Sequence, residues 1–269
     1  MIELLKLTIV STIGIVGSFI VLGFILGLIE QQTERNLYFK FGSKAIIVTG
    51  ILGTTIHEIG HYIMCKLFFH KVTDIKLFSL RMEGNELGHV SHSYNKRNIY
   101  QRIGNFFIGI GPLIFGTFIM ILFFKLLLPE SFNNTISNFN LKPYMSLSKN
   151  FNLVSLLVDL LKNSVLILSS IFKVNNIISL KFWIFLFIAI SISTHMSLSK
   201  ADLKNSLDGI VFIFIINLVI SFVITSFNIN IDILSSIILL YNMLIFVFLL
   251  FAIIFSIIGL IISFIIKAI

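Results

Sequence analysis

The stretch KAIIVTGILGTTIHEIGHYIMCKLFF, Lys44 to Phe69, decides the reading of this chain, because it sets His57, Glu58 and His61 inside an apolar run of membrane-spanning length. A hydrocarbon core of ~30 Å needs ~20 helical residues. Residues four apart on a helix share a face, so His57 and His61 can offer two imidazoles to one metal ion, with Glu58 projecting beside them. A charged side chain at membrane depth costs at least ~2.5 kcal/mol on insertion scales. Three ionisable groups within the five residues His57 to His61 therefore imply a purpose, and polar residues merely satisfied by neighbouring helices are the weaker reading.

The remaining chain agrees with a membrane setting. Of 269 residues, 57% are hydrophobic and 12% charged, with mean hydropathy +1.02, whereas soluble domains carry about 25% charged residues. Spanning candidates are Leu4 to Ile29, Lys44 to Phe69, Asn105 to Leu128, Ile177 to Thr194, Ile210 to Phe227 and Leu234 to Ile266. They predict an all-α polytopic membrane protein of about six transmembrane helices: a single membrane-embedded domain over 1–269, its catalytic core at about 44–220, with additional helices at 1–30 and 234–269. The first run is too long for a signal-peptide core and lacks a small-residue cleavage site, so it is expected to persist. Whether Leu234 to Ile266 is one tilted helix or two is open.

Between the second and third runs, Val72 to Leu80 is rich in β-formers, Gly84 and Gly88 mark turns, and His89 to His92 continues extended. This predicts a small surface β-hairpin after the helix that bears the motif. The formal charge of +8 lies mostly in loops and forms no amphipathic basic face, which excludes nucleic acid as a partner. Cys65 is the only cysteine, so a disulfide or multi-thiolate zinc site is excluded.

The His70 to Gly104 loop holds six Lys/Arg and the Glu30 to Gly42 loop two, which assigns the former to the cytoplasm. Asn152 to Phe172 is apolar yet carries Asp159, Lys162 and Asn163, and is expected to be interfacial or half-inserted. Ile177 to Thr194 then delivers His195 to Asn205 to the cytoplasmic side, where the motif also lies. His61 would sit ~12 Å deep.

In a His-Glu-x-x-His helix, zinc lowers the pKa of bound water toward ~7 and polarises the scissile carbonyl, while the glutamate takes the proton and passes it to the leaving amine. A third protein ligand is required. The acids after the motif are Asp74, Glu83, Glu86, Glu130, Asp159, Asp202, Asp208 and Asp232. Leu67 stands where metzincins need histidine, and no glutamate follows Glu130 to serve as a later-helix ligand. Asp202 and Asp208 remain, both in the stretch brought to the motif's side.

With these features the chain resembles the site-2 protease family of intramembrane zinc metallopeptidases. The resemblance runs from about Lys44 to Ile220: His57 to His61, the hairpin candidate, Gly111-Pro112, then a polar break. The family's break, roughly Asn-x-x-Pro-x-x-x-x-Asp-Gly, laid on Thr194 to Asp202 puts Asp202 at the ligand position without the Asn and Pro, whereas the literal Leu-Asp-Gly triplet is Leu207-Asp208-Gly209. Asp202 is preferred and Asp208 is the alternative. Phe115 stands where many relatives carry an asparagine that helps hold substrate, and Asn105 is a conjectural substitute. His195 lies in the break and could support the ligands.

The resemblance implies a zinc metalloendopeptidase with one Zn²⁺ per chain held by His57, His61 and Asp202, and Glu58 as general base and acid. Its partners would be a membrane-protein or peptide substrate and the lipid bilayer. The expected setting is a multi-pass cell membrane, with the active site toward the cytoplasm. Abundant Ile, Asn, Lys and Phe fit an AT-rich bacterial genome. Alternatives are a non-proteolytic membrane protein that kept the fold, such as a metal transporter or a resistance or immunity factor, and a protease trimming a small secreted peptide.

Overall fold

The computed structural model describes residues 2–80, 87–138, 153–227 and 231–268. Helix α1 (Ile2–Phe41) and helix α2 (Ser43–Leu67) are joined through Gly42, whose φ of 62° lies in the left-handed region that glycine adopts without cost. Of the segment from Glu30 to Gly42, expected as a loop, all but Gly42 is the last part of α1. Glu, Gln, Arg and Leu are good helix formers, and no Gly or Pro interrupts the run before Gly42, so polarity alone does not end the helix.

After α2 the chain turns at Phe69, with φ 56°, and enters the antiparallel hairpin β1 (Lys71–Lys76) and β2 (His89–Ser93). Val72 faces His92 and Lys76 faces His89, with an irregularity between Val72 and Asp74. The expected hairpin is therefore present. The turn expected at Gly84, with Glu83 and Glu86, lies outside the described residues.

Helix α3 (Ile99–Gly109) starts on Asn98, whose side chain accepts from the Gln101 N–H. It meets α4 (Gly111–Leu127) at a 55° bend, where Pro112 begins a new helix and cannot donate to the old one. The single span expected from Asn105 is thus a bent pair. α5 (Pro129–Asn138), α6 (Leu153–Ile171) and the one-turn α7 (Val174–Ile177) follow, then α8 (Leu180–Ser193). The non-helical break 194–199 leads to α9 (Lys200–Ser226), and α10 (Ile231–Ala268) is one helix of 38 residues, which settles the question left by the sequence.

Among the described residues three helices are long and apolar enough to cross a membrane, Leu4–Phe41, Lys200–Ser226 and Leu249–Ala268, or four if the bent pair counts as one span. The full six expected from the sequence are not met by length and composition. α8, at 14 residues, is about 21 Å long, short of the ~30 Å hydrocarbon core. Among the described residues of α6 the apolar stretch is Leu161–Ile171, shorter than a span.

Phenylalanine dominates the core. Phe124, Phe185, Phe251 and Phe255 pack ring against ring where α4, α8 and α10 meet. α10 also lies along α1, where Asn36 Nδ2 donates to Ser263 Oγ at 3.0 Å. Small residues set the helix spacing that matters for the site. A Cβ on Gly60 would stand 2.9 Å from the backbone of Gly111 and Pro112, so α2 and α4 cross in backbone contact. Gly109 and Gly209 do the same for α3 against α9.

Candidate metal centre

α2 aims His57 and His61 at the gap between the bend of α3–α4 and the break 194–199. His57 Nδ1 donates to the carbonyl of His195 at 2.7 Å, and His61 Nδ1 donates to the carbonyl of Ile108 at 2.8 Å. A carbonyl only accepts, so both rings carry their proton on Nδ1 and turn a bare Nε2 lone pair inward. The two Nε2 atoms stand 3.1 Å apart, and Asp202 Oδ1 is 3.2 Å from His61 Nε2. The ligand atoms of His57, His61 and Asp202 all lie within 4.8 Å of one another. Three electron-rich atoms at such range need a cation or a shared proton between them. Tetrahedral ligands ~2.0 to 2.1 Å from zinc stand about 3.3 Å from each other, so donor set and spacing both fit.

Asp202 is aimed by local structure. Ser199 caps α9: its Oγ accepts from the Asp202 N–H at 3.0 Å, while Asp202 Oδ2 accepts from the Ser199 N–H at 3.0 Å and from its hydroxyl at 2.6 Å. This reciprocal cap occupies Oδ2 and leaves Oδ1 facing the imidazoles. The helix-cap role and the ligand role thus use different oxygens of one carboxylate.

Glu58, 7% exposed, sits beside the pair with Gly88 against it, since a Cβ there would come within 2.9 Å of Glu58 Cγ. Both line a cavity of about 390 Å³ shared with Thr54, His57, Leu87 and His195. Glu30 and Glu34 of α1 also face this cavity. Sequence reasoning missed them because it placed them in a loop; their i, i+4 spacing directly after an apolar run was the available signal.

Asp208 is not with the histidines. It forms an ion pair with Arg102 and accepts from Asn105 Nδ2 at 2.9 Å and from the Tyr94 hydroxyl at 3.2 Å. Six residues beyond Asp202 on the same helix, it lies about 240° around the axis, which puts it on another face. The alternative ligand is thereby corrected, while Asn105 gives Nδ2 to Asp208 and keeps a buried Oδ1 with no hydrogen-bond partner among the described residues. His195 does support the site, through its carbonyl.

His89 and His92 take separate partners, as strand alternation requires. His89 Nε2 meets Asp74 at 2.8 Å, and that bond chiefly draws the Asp74 carboxyl below its ordinary value. His92 Nδ1 meets His70 Nδ1 at 3.0 Å, while His70 Nε2 donates to the Gln101 carbonyl at 2.7 Å. Burial, then the facing His70, push the His92 imidazole down to about 4. Burial likewise lowers His70. The pair hangs the hairpin on the start of α3, next to the centre.

No family model matches this chain, and neither a curated protein nor a solved structure does. Function has to be read from the geometry itself. The side chains of Asp159 and Asp232 lie outside the described residues. Glu130, in the first turn of α5, belongs to neither candidate metal group among the described residues.

Proposed function

We propose that this chain is an intramembrane zinc metalloprotease of the site-2 type, hydrolysing a peptide bond in or next to a transmembrane segment of a substrate protein. The observation that carries the reading is the convergence of His57 and His61 of α2 with Asp202 of α9, far apart in the chain, beside a buried glutamate that lines a cavity. His57 and His61 would hold the ion through Nε2 and Asp202 through Oδ1. Zinc held there supplies an acidified water and a Lewis acid for the carbonyl.

The chain's own groups do the rest. The carbonyls of His195 and Ile108 fix ring orientation and tautomer, and they make each imidazole a stronger donor. Glu58 takes a proton from water in the cavity and returns it to the leaving amine. An extended substrate segment pairs with the edge of the β1–β2 hairpin, which Gly88 brings close against Glu58; added strands of this kind bind through main-chain hydrogen bonds. On this reading the remaining helices complete a six-span bundle, with the hairpin and the active site toward the cytoplasm.

Glu58→Gln tests the reading. Purified protein with this change should keep its zinc and lose about 10²- to 10⁴-fold in cleavage of a transmembrane reporter, the usual contribution of a general base. Undiminished cleavage by the variant would sink it.

A further inference from the structure

Across the same cavity, three groups outside the first centre converge. The ligand atoms of Glu30, Glu34 and His195 lie within 4.8 Å of one another. The two glutamates are one helical turn apart on α1, so both carboxylates face one way. Glu30 is oriented by the Ser197 N–H, which donates to Oε2 at 3.0 Å. Glu34 makes no hydrogen bond or ion pair among the described residues.

The histidine makes this more than an acidic cluster. His195 is 7% exposed, and its Nε2 lies 3.0 Å from Thr49 Oγ1. The carbonyls of Ala45 and Ile46, both at 3.3 Å, offer acceptors for the Thr49 proton, which opens the hydroxyl oxygen to accept from a proton on His195 Nε2. In that tautomer Nδ1 carries a lone pair, and it has no hydrogen-bond partner among the described residues, on a buried side chain that lines the cavity. A carboxylate oxygen of each glutamate and a ring nitrogen of His195 thus lie within 4.8 Å of one another, and none of the three groups forms an ion pair with a Lys or Arg among the described residues. Arg35 and Lys267 line the adjoining cavity with Glu34; neither forms an ion pair with it among the described residues, and Lys267 Nζ donates to Asn36 Oδ1 at 3.3 Å.

We propose that Glu30, Glu34 and His195 form a second divalent-cation site, open to the same cavity as Glu58 and distinct from the His57–His61–Asp202 centre. Imidazole with carboxylates suits Zn²⁺ or Mn²⁺. The His195 residue then serves both centres, the first with its carbonyl and the second with its ring.

The experiment is titration of chelator-stripped, detergent-purified protein with Zn²⁺, and separately Mn²⁺, counted by calorimetry and elemental analysis. Wild type should take up two equivalents of zinc. Glu34→Gln and His195→Ala should each take up one, and His57→Ala should also keep one. Glu34 has no hydrogen bond or ion pair to lose among the described residues, so its variant should fold. No uptake of either ion by the wild type, or uptake that neither Glu34→Gln nor His195→Ala reduces, overturns the site, whether one equivalent is bound or two. A single equivalent lost with Glu34→Gln but kept in His57→Ala would uphold this site and sink the proposed zinc protease.

Discussion

Gly60→Ala probes the link between helix packing and the centre. The added Cβ would stand 2.9 Å from the carbonyl carbon and oxygen of Gly111 and from Pro112 Cα, all of them backbone atoms. Ordinary contact needs about 0.5 to 1 Å more, and backbone cannot rotate away, so α2 and α4 must part. Overpacking of this kind costs about 1 to 3 kcal/mol. The displacement is felt at the next residue, since His61 is held by the Ile108 carbonyl at 2.8 Å and meets Asp202 at 3.2 Å. Metal affinity should fall by about tenfold or more, as it does when an orienting partner is lost. Thermal unfolding in detergent and competition with a chromophoric zinc chelator read the two effects. An alanine variant with unchanged melting and unchanged zinc affinity would refute the reasoning.

Other consequences follow from the same geometry. Ser199→Ala removes one half of the cap on Asp202 and should cost about 0.5 to 2 kcal/mol of stability; zinc affinity measured by chelator competition should weaken with it, because Oδ2 loses its hydroxyl anchor. Gly88→Ala would press a methyl on Glu58 Cγ and on the Lys76 and Leu77 carbonyls, so cleavage of the reporter should drop while zinc content stays at the wild-type level. For His92, whose folded-state pKa is pushed down to about 4, the unfolded hairpin binds more protons between that value and its ordinary 6.5. Hairpin protection from hydrogen exchange should therefore be full above about pH 6.5 and decline as pH falls toward 4, and His92→Gln should flatten the decline.

Much of the candidate centre was legible because its chemistry is local. His57, Glu58 and His61 need only a helix to share a face, and the alternating β-formers from Val72 declared the hairpin. Choosing between Asp202 and Asp208 needed more than spacing. The choice turns on the capping box at Ser199, a local signal that was present in the sequence, and on Arg102 claiming Asp208, a contact across 106 residues that no local pattern encodes. The length of α1 was misjudged because a change to polar residues was taken as a helix end, although helix propensity continued to Gly42. That error hid Glu30 and Glu34. The orienting carbonyls of Ile108 and His195 were beyond reach, since a backbone group carries no residue signature.

Zinc stoichiometry in a set of single variants tests the central claim most directly. Relative to wild type, His57→Ala and Asp202→Ala should each release one equivalent of zinc, whereas Asp208→Ala should release none. Retention of all zinc by Asp202→Ala, or loss of an equivalent with Asp208→Ala alone, would contradict the centre described above.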